Sequence, residues 1–387
     1  MAELRLPLRD RTLEMYSTGD PAVWPRPGGP STIRVAFAAT HVVMDPLAHV
    51  QDPMADGAID WDATMAFRHY LWSLGLGVAD AMDTAQRGQG LGWDQARRLI
   101  ERSSGEARSV GGALVCGATT DQLEGSLACT LDQIARAYTE QCDFIEEAGA
   151  VPIVMASQHL ARTADGPSDY LRVYDAVLRD RGVPVMLHWL GAPFVPAFGS
   201  YWGSSDTREA SRTLLELISR HVDRVAGVKL SVLDPDLEID LRRRLPSGVR
   251  LFTGDDFNYV DLIRGDGTTH SDALLGVFDP IAPAAAAALA ALNADDVQAY
   301  DTILSPTLPL ARTIFEAPTG NYKVGVVLLA YLNGHQAHFR MLGGMEATRS
   351  LAHLADVFRA ADTCGLLRDP EMAVARMKVV LAVGGVE

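Results

Sequence analysis

The chain alternates short apolar runs with longer stretches of helical periodicity. Eight of the runs are rich in Val, Ile, Leu and Ala and are apolar at consecutive positions, which is expected of parallel strands covered on both faces. The predicted strands are residues 33–38, 77–82, 112–116, 151–155, 184–187, 227–230, 249–252 and 273–277. Their helices are predicted at 61–74, 93–103, 127–148, 169–179, 207–222 and 257–264.

Strand–helix alternation of this kind predicts a parallel sheet, and eight units most simply close into an α/β barrel of the (β/α)8, or TIM-barrel, type. An open doubly wound sheet is the competing architecture. Its nucleotide-binding version has a glycine fingerprint after an early strand, and the candidate Gly88-Gln-Gly-Leu-Gly92 has the wrong spacing.

The two ends of the chain differ from this repeat. A Pro- and Gly-rich stretch at 21–31 predicts a loop that leads into the barrel. After the last strand, helices are predicted at 284–292, 297–304, 310–317, 324–332, 346–361 and 370–382. We therefore expect an N-terminal extension over 1–31, a barrel over 32–295, and C-terminal helices over 296–387 packed on the barrel.

Composition narrows the partners. The 387 residues are 48% apolar and 21% charged, as in ordinary globular proteins, and the net charge of −15 disfavours nucleic acid and anionic membranes. Neither a secretory signal nor an apolar stretch long enough to span a bilayer is evident, which predicts a cytoplasmic protein. The four cysteines lack CxxC or zinc spacing, and we expect them to be reduced, with no cofactor. A homo-oligomer is compatible with the acidic charge and the additional helices.

Lys229 is the leading catalytic candidate. It is one of only three lysines, and it lies in the apolar run Val225-Ala-Gly-Val-Lys-Leu-Ser231, while arginine supplies nearly all other positive charge. A desolvated lysine loses its proton more easily, and a neutral amine attacks a carbonyl to form a Schiff base. Arginine cannot perform this chemistry. The alternative is that Lys229 ends a strand and points at solvent or a carboxylate.

Other candidates follow from the rule that chemistry in such barrels collects at the C-terminal ends of the strands. His188 ends the fifth strand and has a side chain suited to proton relay, although a structural histidine is the alternative. The predicted substrate-binding residues at other strand ends are His41, Asp45, Asp83, Thr84, Gln86, Gly254, Asp255 and Asp256. Gly254 allows close approach of the backbone to a ligand, and at least one aspartate of 255–256 is expected to cap the next helix.

Four stretches resemble the dihydrodipicolinate synthase and N-acetylneuraminate lyase family of lysine Schiff-base barrels. They are Glu146-Glu-Ala-Gly149, Pro184-Val-Met-Leu-His188, Gly227-Val-Lys-Leu-Ser231 and Thr253-Gly-Asp-Asp256, and the chain is most similar to a branch with a domain-of-unknown-function label. The resemblance implies that Lys229 is the Schiff-base lysine of the sixth strand. Asp255 matches the turn that follows the seventh.

Two departures from the family bear on the substrate. His188 stands where the family has a proton-relaying tyrosine, and Met82-Asp-Thr-Ala-Gln86 replaces a Gly-Thr-Thr-Gly-Glu-like turn that binds the carboxylate of pyruvate. Only Thr84 of that turn is retained, and Asp83 would face an anion.

The sequence thus predicts a cofactor-independent Schiff-base aldolase or lyase for a small keto acid or keto-sugar. Two alternatives stay open. One is a metal-dependent sugar aldolase or isomerase using His41, Asp45, Asp83, His188 or Asp255, and the other is a non-catalytic binding barrel.

Overall fold

A computed structural model describes residues 2–50, 57–123 and 129–386. Its strands are β1 (Glu3–Pro7), β2 (Leu13–Ser17), β3 (Ala36–Ala39), β4 (Gly77–Asp80), β5 (Leu114–Ala118), β6 (Val151–Val154), β7 (Val185–Leu190), β8 (Val225–Ser231), β9 (Arg250–Thr253) and β10 (Asp272–Leu275). Strands β3 to β10 are all parallel, and β10 pairs with β3 to close an eight-stranded barrel. The predicted (β/α)8 barrel is confirmed, and all eight predicted strands are present with shifted ends.

The helices are α1 (Trp61–Ser73), α2 (Trp93–Val110), α3 (Leu131–Ala148), α4 (Gln158–Thr163), α5 (Pro167–Leu178), α6 (Thr207–Arg220), α7 (Pro235–Arg244), α8 (Tyr259–Arg264), α9 (Ala282–Asn293), α10 (Val297–Leu304), α11 (Leu308–Ile314), α12 (Lys323–Leu332), α13 (Leu351–Thr363) and α14 (Pro370–Val383). Local signals set their ends. Helix α2 continues past the predicted end until Gly111, which adopts a left-handed conformation with φ of 66°. The predicted start of α3 at residue 127 lies outside the described residues, and within them Thr130 forms a capping box with Gln133.

Apolar side chains fill part of the barrel interior. Phe37, Met186 and Phe252 belong to one buried cluster inside the barrel, and the rings of Phe37 and Phe252 lie 6.1 Å apart. On β8, Val228 and Leu230 belong to the cluster that includes residues of the surrounding helices. Because side chains alternate along a strand, Lys229 points to the opposite face, into the barrel.

The chain ends pack together on one side of the barrel. β1 and β2 form an antiparallel hairpin against α13 and α14, and Leu4 and Leu6 are buried in the main core cluster. The Tyr16 hydroxyl donates to Asp362 on α13 over 2.7 Å. The sequence analysis did not predict this hairpin. Among the described residues, no helix has the length and apolar character needed to cross a membrane.

Helices α11 and α12 reach the C-terminal mouth of the barrel. Gly276, directly after β10, lies so close to Phe315 and Tyr322 that an added Cβ would be 3.1 and 3.0 Å from their rings. Those two rings are stacked with centroids 4.4 Å apart, and Phe194 from the loop after β7 contacts both edge-on. The helices after the barrel therefore contribute side chains to the C-terminal end of the barrel strands.

Candidate active site

Lys229 lies inside the barrel on β8, directly beside His188 of β7 in the strand register. The residue is 7% exposed. Burial lowers the pKa of its amine to about 8, while the negative charges of Asp256 and Asp83 act in the opposite direction. The amine is therefore more easily deprotonated than that of a free lysine, as a Schiff-base nucleophile requires.

Gly254 provides the space that the Lys229 side chain occupies. A Cβ at this position would lie 2.9 Å from Lys229 Cε and 2.1 Å from Ser231 Oγ. The Gly254 N–H donates to the Leu230 carbonyl over 2.8 Å, which holds this segment against β8. The lack of a side chain at Gly254 therefore leaves room for Lys229, and the predicted close approach to a ligand stays a prediction.

The two aspartates after Gly254 have different surroundings. Asp255 Oδ1 accepts hydrogen bonds from the Phe257 and Asn258 N–H groups at 2.9 and 3.1 Å, so its carboxylate caps the turn before α8. Asp256 is buried, accepts from the Val277 N–H over 2.8 Å, and interacts with the charge of Lys229. Burial raises the pKa of Asp256. Asp256, rather than Asp255, is thus the carboxylate of this turn that acts on the lysine.

His188 is buried on the same inner face as Lys229. Its Nε2 lies 3.2 Å from Ser231 Oγ, and its Nδ1 has no hydrogen-bond partner among the described residues. Burial, and then the positive charge of Lys229, hold the pKa of His188 well below its usual value. The imidazole is therefore neutral near pH 7.

Asp83 and Thr84, after β4, are both contacted by the start of α12. Lys323 Nζ lies 3.5 Å from Asp83 Oδ1 and donates to the Gly320 carbonyl over 2.9 Å. The Thr84 and Tyr322 hydroxyls are 2.7 Å apart. Asp83 remains partly exposed, whereas Lys323 is buried. This turn is therefore held by residues distant in sequence.

Three other predicted residues make contacts away from the lysine. His41 Nδ1 lies 2.7 Å from Asp279 Oδ2, Asp45 accepts from the Leu47 N–H, and the amide of buried Gln86 bonds in both directions to the Leu342 backbone. The side chains suggested as metal ligands, all within the described residues, do not form a cluster. Within residues 2–50, 57–123 and 129–386, no group of three His, Cys, Asp or Glu side chains is arranged to hold a metal ion.

A cavity of about 300 Å³ opens beside the site, between the loops that follow β4 to β7. Asp83 lines it and so joins it to the surroundings of Lys229. Its other lining residues include Thr119, Thr120, Met155, Gln158, His159 and Leu190. Arg87, Asp121 and Arg162 line it as well, so the cavity combines charged and hydrogen-bonding groups with a few apolar side chains.

Sequence reasoning missed Tyr322 and Lys323. Tyr322 directly precedes α12 and Lys323 is its first residue. They lie about ninety residues after Lys229, and no motif connects them to the barrel. The rarity of lysine was an available signal, because Lys323 is one of the three.

The fold is similar to that of solved dihydrodipicolinate synthase structures. Similar solved structures include dihydrodipicolinate synthase from Thermotoga maritima (13% identity, TM-score 0.63, covering 86% of this chain and 99% of that one). Another is dihydrodipicolinate synthase from Bacillus clausii (14% identity, TM-score 0.64, covering 84% of this chain and 96% of that one). A third is YagE of E. coli K12, a prophage protein of the dihydrodipicolinic acid synthase family solved in complex with pyruvate. It is 14% identical, with a TM-score of 0.63, and the match covers 92% of this chain and 100% of that one.

The chain belongs to the family described as "Protein of unknown function (DUF993)", whose model matches residues 4–386. No curated protein matches the chain. The resemblance predicted from the sequence is confirmed in the fold, which dihydrodipicolinate synthase structures share, and in the family of unknown function to which the chain belongs.

Proposed function

We propose that this protein is a Schiff-base-forming aldolase or lyase that acts on a small keto acid or keto-sugar through Lys229. The observation that carries the proposal is a buried amine inside the barrel, paired in strand register with His188 and bordered by Gly254. The likeness to dihydrodipicolinate synthase structures supports the same class of scaffold. Fold alone does not determine activity, so the proposal depends on these residues.

The surroundings of Lys229 suit imine chemistry. With a pKa near 8, roughly a tenth of the amine is neutral at pH 7, against about one part in a few thousand for a free lysine. The neutral amine adds to the substrate carbonyl, the carbinolamine loses water, and a cationic iminium forms. The Asp256 carboxylate then balances the iminium charge in place of the ammonium charge it faced before.

Bond cleavage or formation follows from the iminium. The iminium draws the electron pair of an adjacent breaking C–C or C–O bond toward nitrogen. The neutral His188 imidazole and the Ser231 hydroxyl, 3.2 Å apart, supply a path for the proton that the carbinolamine and the leaving group exchange. Hydroxyl groups of the substrate bind to Asp83 and to the polar wall of the cavity.

Reductive trapping tests the proposal. The protein is incubated with small aldehydes and ketones and cyanoborohydride at pH 8, and the modified peptides are identified by mass spectrometry. We expect an adduct on Lys229, with exposed Lys378 as an internal measure of non-specific alkylation. Lys229→Met provides the matched control. Labelling of Lys229 no faster than that of Lys378 with every carbonyl compound would contradict the proposed function.

A further inference from the structure

The charges around Lys229 limit which carbonyl compound can bind there. Two carboxylates, Asp256 and Asp83, exert their charge on the lysine, and His188 beside it is neutral. A substrate with a carboxylate next to its carbonyl would bring a third negative charge to the same place. Like charges in a partly buried site repel each other, because water screens them less than at an open surface.

The cations near this turn and its cavity already have partners. Arg87 donates to Asp121 over 2.8 Å, and Arg162, at the exposed side of the cavity, donates to Gln158 over 3.0 Å. Lys323 is 1% exposed, lies 3.5 Å from Asp83, donates to the Gly320 carbonyl, and stands 4.8 Å from the centre of the Tyr322 ring. The Thr84 hydroxyl is likewise paired with that of Tyr322. Neither side chain of the 83–84 turn is therefore left to receive a substrate carboxylate.

We infer that the carbonyl substrate is uncharged beside its carbonyl and carries a hydroxyl group there, as in a keto-sugar, rather than a carboxylate. This inference rests on the proposed function and selects between its two substrate classes. Asp83 and Asp256 accept hydrogen bonds from substrate hydroxyls, and Lys323 is a positioning residue that keeps Asp83 in place. The cavity beside Asp83, at about 300 Å³, has room for a hydroxylated chain.

A matched pair of probes tests the inference. Hydroxyacetone and pyruvate have nearly the same shape and differ in a hydroxymethyl group against a carboxylate. Each forms a C–N bond with the Lys229 amine, loses its carbonyl oxygen as water, and accepts hydride from cyanoborohydride. The adduct adds the mass of the probe in its neutral form less one oxygen atom. Rates are divided by those of N-α-acetyllysine to remove the difference in intrinsic reactivity.

We expect hydroxyacetone to label Lys229 at least tenfold faster than pyruvate after this correction. Equal labelling, or faster labelling by pyruvate, would overturn the inference while supporting an imine-forming lysine. Labelling of Lys229 by neither probe would overturn the inference, and the proposed function would fall with it only if no other carbonyl compound labels Lys229 either.

Asp83→Asn adds a second, independent arm. This change removes one carboxylate and leaves the Lys323 ammonium to attract an anion, so we expect the corrected preference for hydroxyacetone over pyruvate to fall at least fivefold. Asp132→Asn, which removes an exposed carboxylate on α3, controls for net charge and should leave the preference unchanged. An unchanged preference in Asp83→Asn would overturn the part assigned to Asp83.

Discussion

At the scale of single residues, the site is defined by what burial does to ionisable groups. Lys229, His188 and Asp256 are all buried, and burial shifts the pKa of each in the direction that favours its uncharged form. In water these side chains would titrate far apart, between about pH 4 and 10. In the barrel, burial brings the pKa values of Asp256 and Lys229 closer together, which permits a proton to move between them at little cost.

The first prediction concerns the pH dependence of Lys229. Competitive acetylation as a function of pH should give a midpoint near 8 for Lys229, because burial lowers its pKa. Asp256→Asn removes a charge that raises this pKa, so the midpoint should move to lower pH. Peptide mass spectrometry measures both, with exposed Lys378 as the reference for reagent reactivity.

The matched control for that experiment is Asp240→Asn, since Asp240 pairs with Arg244 on the exposed face of α7. It should leave the Lys229 midpoint unchanged. A Lys229 profile that coincides with that of Lys378, or a midpoint that rises in Asp256→Asn, would show that the amine is not desolvated and paired as described.

At the scale of elements, each strand places one functional face and one packing face. On β9 the two faces are linked, because Thr253 bonds to Glu238 of α7 while the next residue, Gly254, borders Lys229. Glu238 is buried and accepts from the Ser271 and Thr253 hydroxyls at 2.6 and 3.1 Å. Burial raises its pKa to about 8.

The second prediction follows from Glu238. Its pKa in the folded state is raised above that of the unfolded chain, so its contribution to stability is complete below about pH 4.5 and is lost as pH rises to about 8. Between these pH values, ionisation of Glu238 lowers the free energy of unfolding by up to about 1.4 kcal/mol for each pH unit. Urea denaturation at pH 5 and pH 8 should therefore show a smaller decline for Glu238→Gln than for the unmodified protein.

The paired measurement on Glu209→Gln serves as the control, because Glu209 lies on the exposed N-terminal turn of α6. Its pH dependence should equal that of the unmodified protein. Identical declines in all three proteins would mean that Glu238 is hydrated in solution.

At the scale of the whole molecule, the two chain ends complete a unit around the barrel. The hairpin β1–β2 covers α13 and α14, and these helices continue the layer to which α12 belongs. α12 begins with Lys323, which contacts Asp83 at the barrel mouth. The N-terminal residues therefore support, through two layers of packing, the helix that holds the site's turn.

The third prediction tests this packing. Leu6 is fully buried on β1, and Leu6→Ala should lower the free energy of unfolding by about 2–5 kcal/mol, the usual cost of a cavity left by a buried leucine. Met15 on β2 is 61% exposed, and Met15→Ala should change it by less than about 0.5 kcal/mol. Denaturant unfolding measures both, and equally small effects would show that the hairpin does not pack in solution.

How far sequence reasoning reaches can be judged from particular elements. The runs at 151–155 and 227–230 became β6 and β8 because consecutive apolar positions signal buried parallel strands. The hairpin was missed because Leu4 and Leu6 alternate with charged residues over only five positions, too short a pattern to distinguish from a loop. Asp255 and Asp256 were placed at the mouth, but their different roles depend on Val277 and the turn before α8.

The sequence by itself determined the succession of strands and helices and the place of Lys229 in the sixth strand, because both follow from local patterns along the chain. Only the tertiary structure decided which groups surround that amine. Asp256 was brought to it by the turn after β9, and Lys323 was brought to Asp83 by a helix from the C-terminal extension. Contacts between distant segments depend on how whole elements pack, and no local pattern records that packing.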